Sequence, residues 1–217
     1  MRHITLILAV MIVMICIADF ISAEPTRATH NFELEDAEGD VSNLNDPGKD
    51  VVKVSIKTDG KYFSMKVTLK NTIKYYLEGH KAGTVVQFHL DTDNNRETGG
   101  KIFWTKNTGF EYLIGIRSCI KYKNGEACMG GLGGPSTGFF SSYSIKQYEQ
   151  GSTSANNIHD FKWRSPRNDI SDNTIMTKIP YTEIGVVSGQ TIRVVIEEKD
   201  SKEPKEAYSS DIILKLK

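Results

Sequence analysis

Beyond Phe32, apolar residues alternate with polar ones in short runs, and almost nothing recurs at the 3.6-residue period of a helix. Val52, Val54 and Ile56 alternate with Lys53, Ser55 and Lys57, which predicts a half-buried strand. Asp59-Gly60 supplies a turn, and the chain returns with Phe63, Met65, Val67 and Leu69 on one face. Tyr62, Ser64, Lys66 and Thr68 take the other, completing a hairpin. Val85 to Leu90 predicts a strand with Val86, Phe88 and Leu90 on the core face and His89 on the outer, exposed one. Phe110 to Arg117 predicts another, with Phe110, Tyr112, Ile114 and Ile116 inward. Phe139 to Tyr148, Phe161 to Arg164, Thr174 to Ile179, Ile192 to Glu197 and Asp211 to Leu216 follow, about ten strands in all. The polar segment Gly151 to His159 reads as a loop, and Pro180 to Gly185 as one helical turn opened by proline and closed by glycine. Short strands separated by turn chemistry indicate an all-β, antiparallel two-sheet sandwich. No repeat or linker divides it, so residues 24–217 are expected to form one domain.

The N-terminus changes the setting. Met1-Arg2-His3 precedes an apolar run from Ile4 to Ala18 and the small-residue site Ile21-Ser22-Ala23, which predicts a signal peptide over 1–23. Asp19 interrupts the run before the roughly 18 apolar residues that a membrane span needs. The expected location is secreted or periplasmic, with no membrane insertion after cleavage. Ile15 before Cys16 stands where a lipidation site needs a small residue. The whole chain carries 27 basic and 27 acidic residues; cleavage removes Arg2 and Asp19, leaving 26 of each. Balanced charge gives no support for nucleic acid or an anionic membrane as partner.

Cys119 and Cys128 then remain, and in an oxidising compartment such a pair favours a disulfide over a metal site or free thiols. Asn124-Gly125 between them signals a hairpin, yet a two-residue turn centred there sets Cys119 opposite Gly130. The bridge therefore requires a shifted register or a longer loop.

Candidate chemistry concentrates in Asp91-Thr-Asp-Asn-Asn-Arg-Glu-Thr-Gly-Gly100, between two expected core strands. Asp91, Asp93 and Asn95 occupy the alternate positions whose oxygens converge on calcium in a tight loop. A helix-loop-helix site also needs glycine at position 6 and glutamate at position 12, where this chain has Arg96 and Ile102. Other ligands must therefore come from elsewhere, and the competing reading is a solvated acidic turn. Asp36, Asp40 and Asp50 form a second, weaker candidate cation site, or cap turns through their own side chains. Gly134-Pro-Ser-Thr-Gly138 matches a nucleophile pattern, but glycines precede the serine and an alternating run follows, where a strand and a helix are required. Trp104 and Trp163 offer flat faces for a sugar ring, against the usual fate of sandwich aromatics as packing.

Four motifs occur in a familiar order: Asp36-x-x-Gly-Asp40 with Asp50 opening a valine-rich strand; Leu90-Asp-Thr-Asp-Asn-Asn-x-x-Thr-Gly99; Gly109-Phe-Glu-Tyr-Leu-Ile114; and Ile179-Pro-Tyr-Thr-Glu-Ile-Gly185. Over most of residues 32–216 the chain resembles extracellular β-sandwich modules related to family 9 carbohydrate-binding modules, a superfamily similar to DOMON domains and to the C-terminal domain of glucodextranase. The resemblance implies a jelly-roll-like sandwich, structural calcium, and Glu111 as the acidic residue completing the Asp91 loop. It implies a non-catalytic binding role, with polysaccharide as ligand through Trp104 and Trp163, or another extracellular protein as assembly partner. DOMON domains also raise haem, which needs an axial Met, His or Lys. Met65 shares its face with Phe63 and Val67, His89 is expected at the surface, and His30, His80 and His159 have no partner at ligand spacing.

Overall fold

The computed structural model describes residues 30–36, 50–70, 84–103, 105–122, 125–127, 136–163, 170–171, 173–198 and 209–217. The expected signal peptide and Asp40, Trp104 and Cys128 lie outside them, as do the side chains of Cys119 and Trp163.

In chain order the strands are β1 (Asn31–Glu35), β2 (Val51–Thr58), β3 (Tyr62–Leu69), β4 (Thr84–Asp91), β5 (Gly100–Lys101), β6 (Thr108–Phe110) and β7 (Tyr112–Tyr122). There follow β8 (Gly125–Ala127), β9 (Ser136–Tyr148), β10 (Ala155–Trp163), β11 (Ile170–Ser171), β12 (Thr174–Pro180), β13 (Thr191–Glu198) and β14 (Ile212–Lys215). The smaller large sheet runs β1-β2-β3-β12-β11 and the larger β10-β9-β7-β4-β13-β14, with β8 beside β7. Strands β5 and β6 form a separate ribbon. All pairings are antiparallel, so the expected two-sheet, all-β sandwich is the observed fold. One 3-10 turn, Tyr181–Glu183, follows Pro180 and ends at Gly185 with φ 64°, where glycine avoids the left-handed penalty.

The core forms because alternation puts one row of each sheet inward. Val54, Ile56, Phe63, Met65, Val67 and Leu69 face Val86, Phe88, Leu90, Ile114, Ile116 and Val194, all fully buried. Each such side chain contributes roughly 1.5–3 kcal/mol by leaving water.

Local corrections follow from register. In β2 the pairing steps from Val51↔Leu69 to Lys53↔Thr68, so a bulge puts Val51 inside and leaves Val52 only half-buried. Residues Ala155 to His159 belong to strand β10, paired with β9, and are not the loop their polarity suggested. Strands β7 and β8 pair through Tyr122↔Gly125 and Ile120↔Ala127, one position away from a turn centred on Asn124-Gly125. No disulfide is present among the described residues.

At β4 and β13 the larger sheet is covered on both faces. Val194 and Ile196 point into the sandwich, so Val195 between them points out, and it packs with Ile102, Phe110 and Tyr148 in a second apolar cluster. Phe110 thus belongs to this outer cluster rather than to the row of Ile114 and Ile116. The segment from Thr92 to Phe110 folds back over the outer face, pinned where Lys101 N–H donates to Ser152 O (2.8 Å) and Gly151 N–H to Gly99 O (2.7 Å). His89, expected at the surface, is 3% exposed beneath it.

Candidate metal centre

Asp91 is the last residue of β4, and its position in the alternation sends its carboxylate to the covered outer face. Arg193 on β13 sits directly opposite. The guanidinium holds Asp91 Oδ2 through Nη2 at 2.8 Å and Nε at 3.0 Å, with Asp91 fully buried. Arg193 also reaches Asp211 (Nη1 to Oδ1, 3.3 Å) and Thr108 O, and its Cζ lies 4.6 Å from the centre of the Phe110 ring. A planar, permanently charged fork suits all these contacts at once.

Past Asp91 the loop turns tightly. Asn94 adopts φ 54°, a conformation Asn tolerates better than most residues. Asn95 N–H donates to Asp91 Oδ1 (3.0 Å) and to Asp93 Oδ1 (2.9 Å), while Glu97 N–H donates to Asn95 Oδ1 (3.0 Å). Glu111 enters from the junction of β6 and β7. Its Oε2 accepts Thr92 N–H at 2.6 Å and the Thr92 hydroxyl at 3.1 Å. Ligand oxygens of Asp91, Asp93 and Glu111 all lie within 4.8 Å of one another, the one such group among the described residues.

Two glycines make this approach possible. A Cβ on Gly99 (φ 60°) meets Phe110 O at 2.3 Å and Glu111 Oε1 at 2.6 Å; one on Gly109 (φ 87°) meets Arg96 Cα at 2.5 Å and Asn95 O at 2.6 Å. Any side chain there displaces the loop from β6.

The donor set fits a hard cation on two counts. First, the Thr98 hydroxyl has one proton, yet both Asp93 carboxylate oxygens (3.0 Å), Asn95 O (2.8 Å) and Glu111 Oε1 (3.3 Å) crowd its oxygen. Acceptors outnumber protons, as in an oxygen-lined calcium site. Second, Asp91, Asp93, Glu111 and Asp211 carry four negative charges against the two of Arg193 and Arg96, which pairs Asp211. With Glu97 in the same loop as well, the region carries excess negative charge that a cation would offset. Burial pushes the Asp91 carboxyl above its usual range against the pull of Arg193. Burial likewise raises Glu111, against the Thr92 amide and with the repulsion of Asp93 and Asp91 adding to it.

The structure thus gathers Asp91, Asp93 and Glu111, whereas the Asn95 amide oxygen turns to Glu97 N–H. Of the weaker trio, Asp50 is buried with Lys70 Nζ at 3.7 Å and Asp36 N–H donates to Val52 O. Asp40, their third member, falls outside the described residues. Trp104 and the Trp163 indole do as well, so neither sugar-contact expectation meets an observation. Ser136 opens strand β9, where the nucleophile pattern requires a helix.

Sequence reasoning missed Arg193, although a lone guanidinium inside Ile192-Arg-Val-Val-Ile196 signals a buried anion nearby. It also missed the network beneath the flap. His89 Nδ1 bonds the Tyr148 hydroxyl at 2.9 Å and its Nε2 the Glu197 carboxylate at 3.0 Å, with the Phe110 ring edge-on at 5.6 Å.

Comparison of the chain with protein-family models, with curated proteins and with solved structures found no match.

Proposed function

We propose that this chain is a secreted, calcium-stabilised, non-catalytic binding module of the extracellular β-sandwich type, with carbohydrate as its ligand class. The observation that carries the reading is the convergence of Asp91, Asp93 and Glu111 oxygens within 4.8 Å on a loop whose other partners supply too few protons. Asp91, Asp93 and Glu111 would hold the ion, which supplies charge neutralisation and clamps the flap to β4 and β7. An all-oxygen, carboxylate-rich set suits calcium better than a soft or redox metal. The clamp is structural in this reading.

The test is thermal melting with chelator and with added calcium, on the wild type and on Asp93→Ala. Binding to the folded state at a concentration of about 100 Kd stabilises by about 2.7 kcal/mol, so the wild-type Tm rises with calcium. Asp93 is exposed, so the variant is expected to fold and to show no rise. No rise in the wild type sinks the metal reading, and an equal rise in the variant moves the site elsewhere. A glycan array supplies the ligand side of the test.

Cys119 and Cys128 complete the proposal as a disulfide. Cys119 adjoins Ile120, which pairs with Ala127, the last described residue before Cys128, and the expected oxidising compartment supports the bridge. Thiol titration of the denatured protein before and after reduction decides it.

A further inference from the structure

The outer face of the smaller large sheet carries a different chemistry. Outward positions of β2, β3 and β12 bring Lys53, Lys57, Lys66 and Lys178 onto one surface, where Lys53, Lys57 and Lys66, with Glu33, line a hollow of about 240 Å³. Ser55, 5% exposed, lines it, and Ser64 separates Lys57 from Lys178 across the strands. Strands lie about 4.8 Å apart and alternate residues about 6.8 Å apart along them, so the diagonal pairs Lys57/Lys66 and Lys66/Lys178 stand roughly 8 Å apart at Cα. On the β1 side, Glu33 pairs with Lys53 at 2.9 Å and Glu35 lies 3.8 Å from it. Lys57, Lys66 and Lys178 are exposed, and none has an ion-pair partner among the described residues.

We infer that this face binds an acidic polysaccharide, its carboxylate or sulfate groups held by Lys57, Lys66 and Lys178 and its hydroxyls by the serines and threonines between them. This rests on the binding-module reading above and names the class of ligand. Three observations select that occupant. The hollow is lined by no aromatic ring, the platform on which a neutral sugar or a nucleic-acid base stacks. Met176 is the apolar residue at its outward rim, whereas a stable protein interface needs a desolvated apolar centre. Lysines in a grid with hydroxyls between them complement a chain bearing anions at intervals, and Lys57 and Lys178, two strands apart, extend the charge across the sheet.

The experiment is affinity electrophoresis and titration calorimetry of the full chain with heparin, polygalacturonate and neutral dextran, at about 50 and 150 mM salt. The wild type is expected to bind at least one acidic polymer, more weakly at the higher salt. The triple variant Lys57→Gln, Lys66→Gln, Lys178→Gln is expected to bind on the order of tenfold more weakly, each lost surface pair being modest alone. A control removing equal charge elsewhere, Lys101→Gln, Lys106→Gln, Lys215→Gln, keeps wild-type binding; all three of its positions are exposed. Glu33→Gln, which removes a competing anion, binds more tightly. Absence of binding to both acidic polymers, or equal loss in the control, overturns the inference. Binding to dextran alone also overturns it but leaves the binding-module reading standing, and the calcium melt tests the metal independently.

Discussion

Asp91 and Arg193 face each other across β4 and β13 as a buried ion pair, with Arg193 2% exposed and its Nη2 2.8 Å from Asp91 Oδ2. The pair joins the adjacent strands β4 and β13 of the larger sheet to the loop above them, because the same guanidinium reaches Thr108 O in β6 and Asp211 before β14. Removing one partner strands a charge away from water, which costs far more than the pair contributes net. Arg193→Met is therefore expected to lose about 3–5 kcal/mol in urea unfolding. A loss below about 1 kcal/mol would show that Asp91 finds another partner or a proton.

Gly99 and Gly151 separate steric fit from backbone strain. Both have positive φ, 60° and 72°, but a Cβ on Gly151 meets nothing within 4 Å while one on Gly99 runs into Phe110 O and Glu111 Oε1. Gly151→Ala is expected to cost about 1 kcal/mol, and Gly99→Ala several-fold more together with loss of the calcium-dependent Tm rise. Equal costs would mean that the loop shifts freely off Glu111.

Tyr148 makes the fold sensitive to alkali. Its phenol is pushed far above the usual value of 10.0, first by burial and then by the neighbouring Glu197 carboxylate. A folded-state value above the unfolded one means stability is fully present below pH 10 and is lost as pH rises beyond it, since only the unfolded chain ionises there. Tyr148→Phe is expected to flatten this alkaline loss relative to wild type. Parallel wild-type and variant curves above pH 10 count against the assignment.

Acid acts on the cation loop with the opposite sign to an ordinary ion pair. Glu111 is raised above 4.5, so in calcium-free protein its ionisation opposes folding: the stability it contributes is complete below 4.5 and declines as pH rises through the folded value. On the proposed calcium reading, protons and calcium compete for the same oxygens, so the expected calcium-dependent Tm rise shrinks on acidification. Glu111→Gln in chelator is expected to raise Tm near neutral pH and to abolish the calcium effect. A variant that melts lower than wild type in chelator would show that the Thr92 hydrogen bonds outweigh the repulsion.

Much of the site was legible in the residues. Alternation in Phe63, Met65, Val67 and Leu69 placed them inward because period two admits no other sheet-compatible assignment, and each is fully buried. Asp91 and Asp93 stood out because alternate carboxylates in a tight loop can converge on one ion, although a solvated acidic turn read equally well, and their oxygens do converge with that of Glu111. Alternation misled at His89 and Phe110. It assigns a residue to a face of its strand but says nothing of what later covers that face, and here the flap ending at Phe110 covers it.

By itself, the sequence determined the sandwich, its inward rows and the turn chemistry, because these follow from local period and backbone preference. Tertiary structure decided three things, of which only the approach of Glu111 was also implied by the resemblance. A bulge at Val51 set which valine of β2 is buried, pairing register set Arg193 against Asp91, and a folded-back segment brought Glu111 to the loop's carboxylates. Each depends on contacts between residues apart in the chain, from 15 positions for Lys53 and Thr68 at the bulge to 102 for Asp91 and Arg193, where alternation along one strand carries no information.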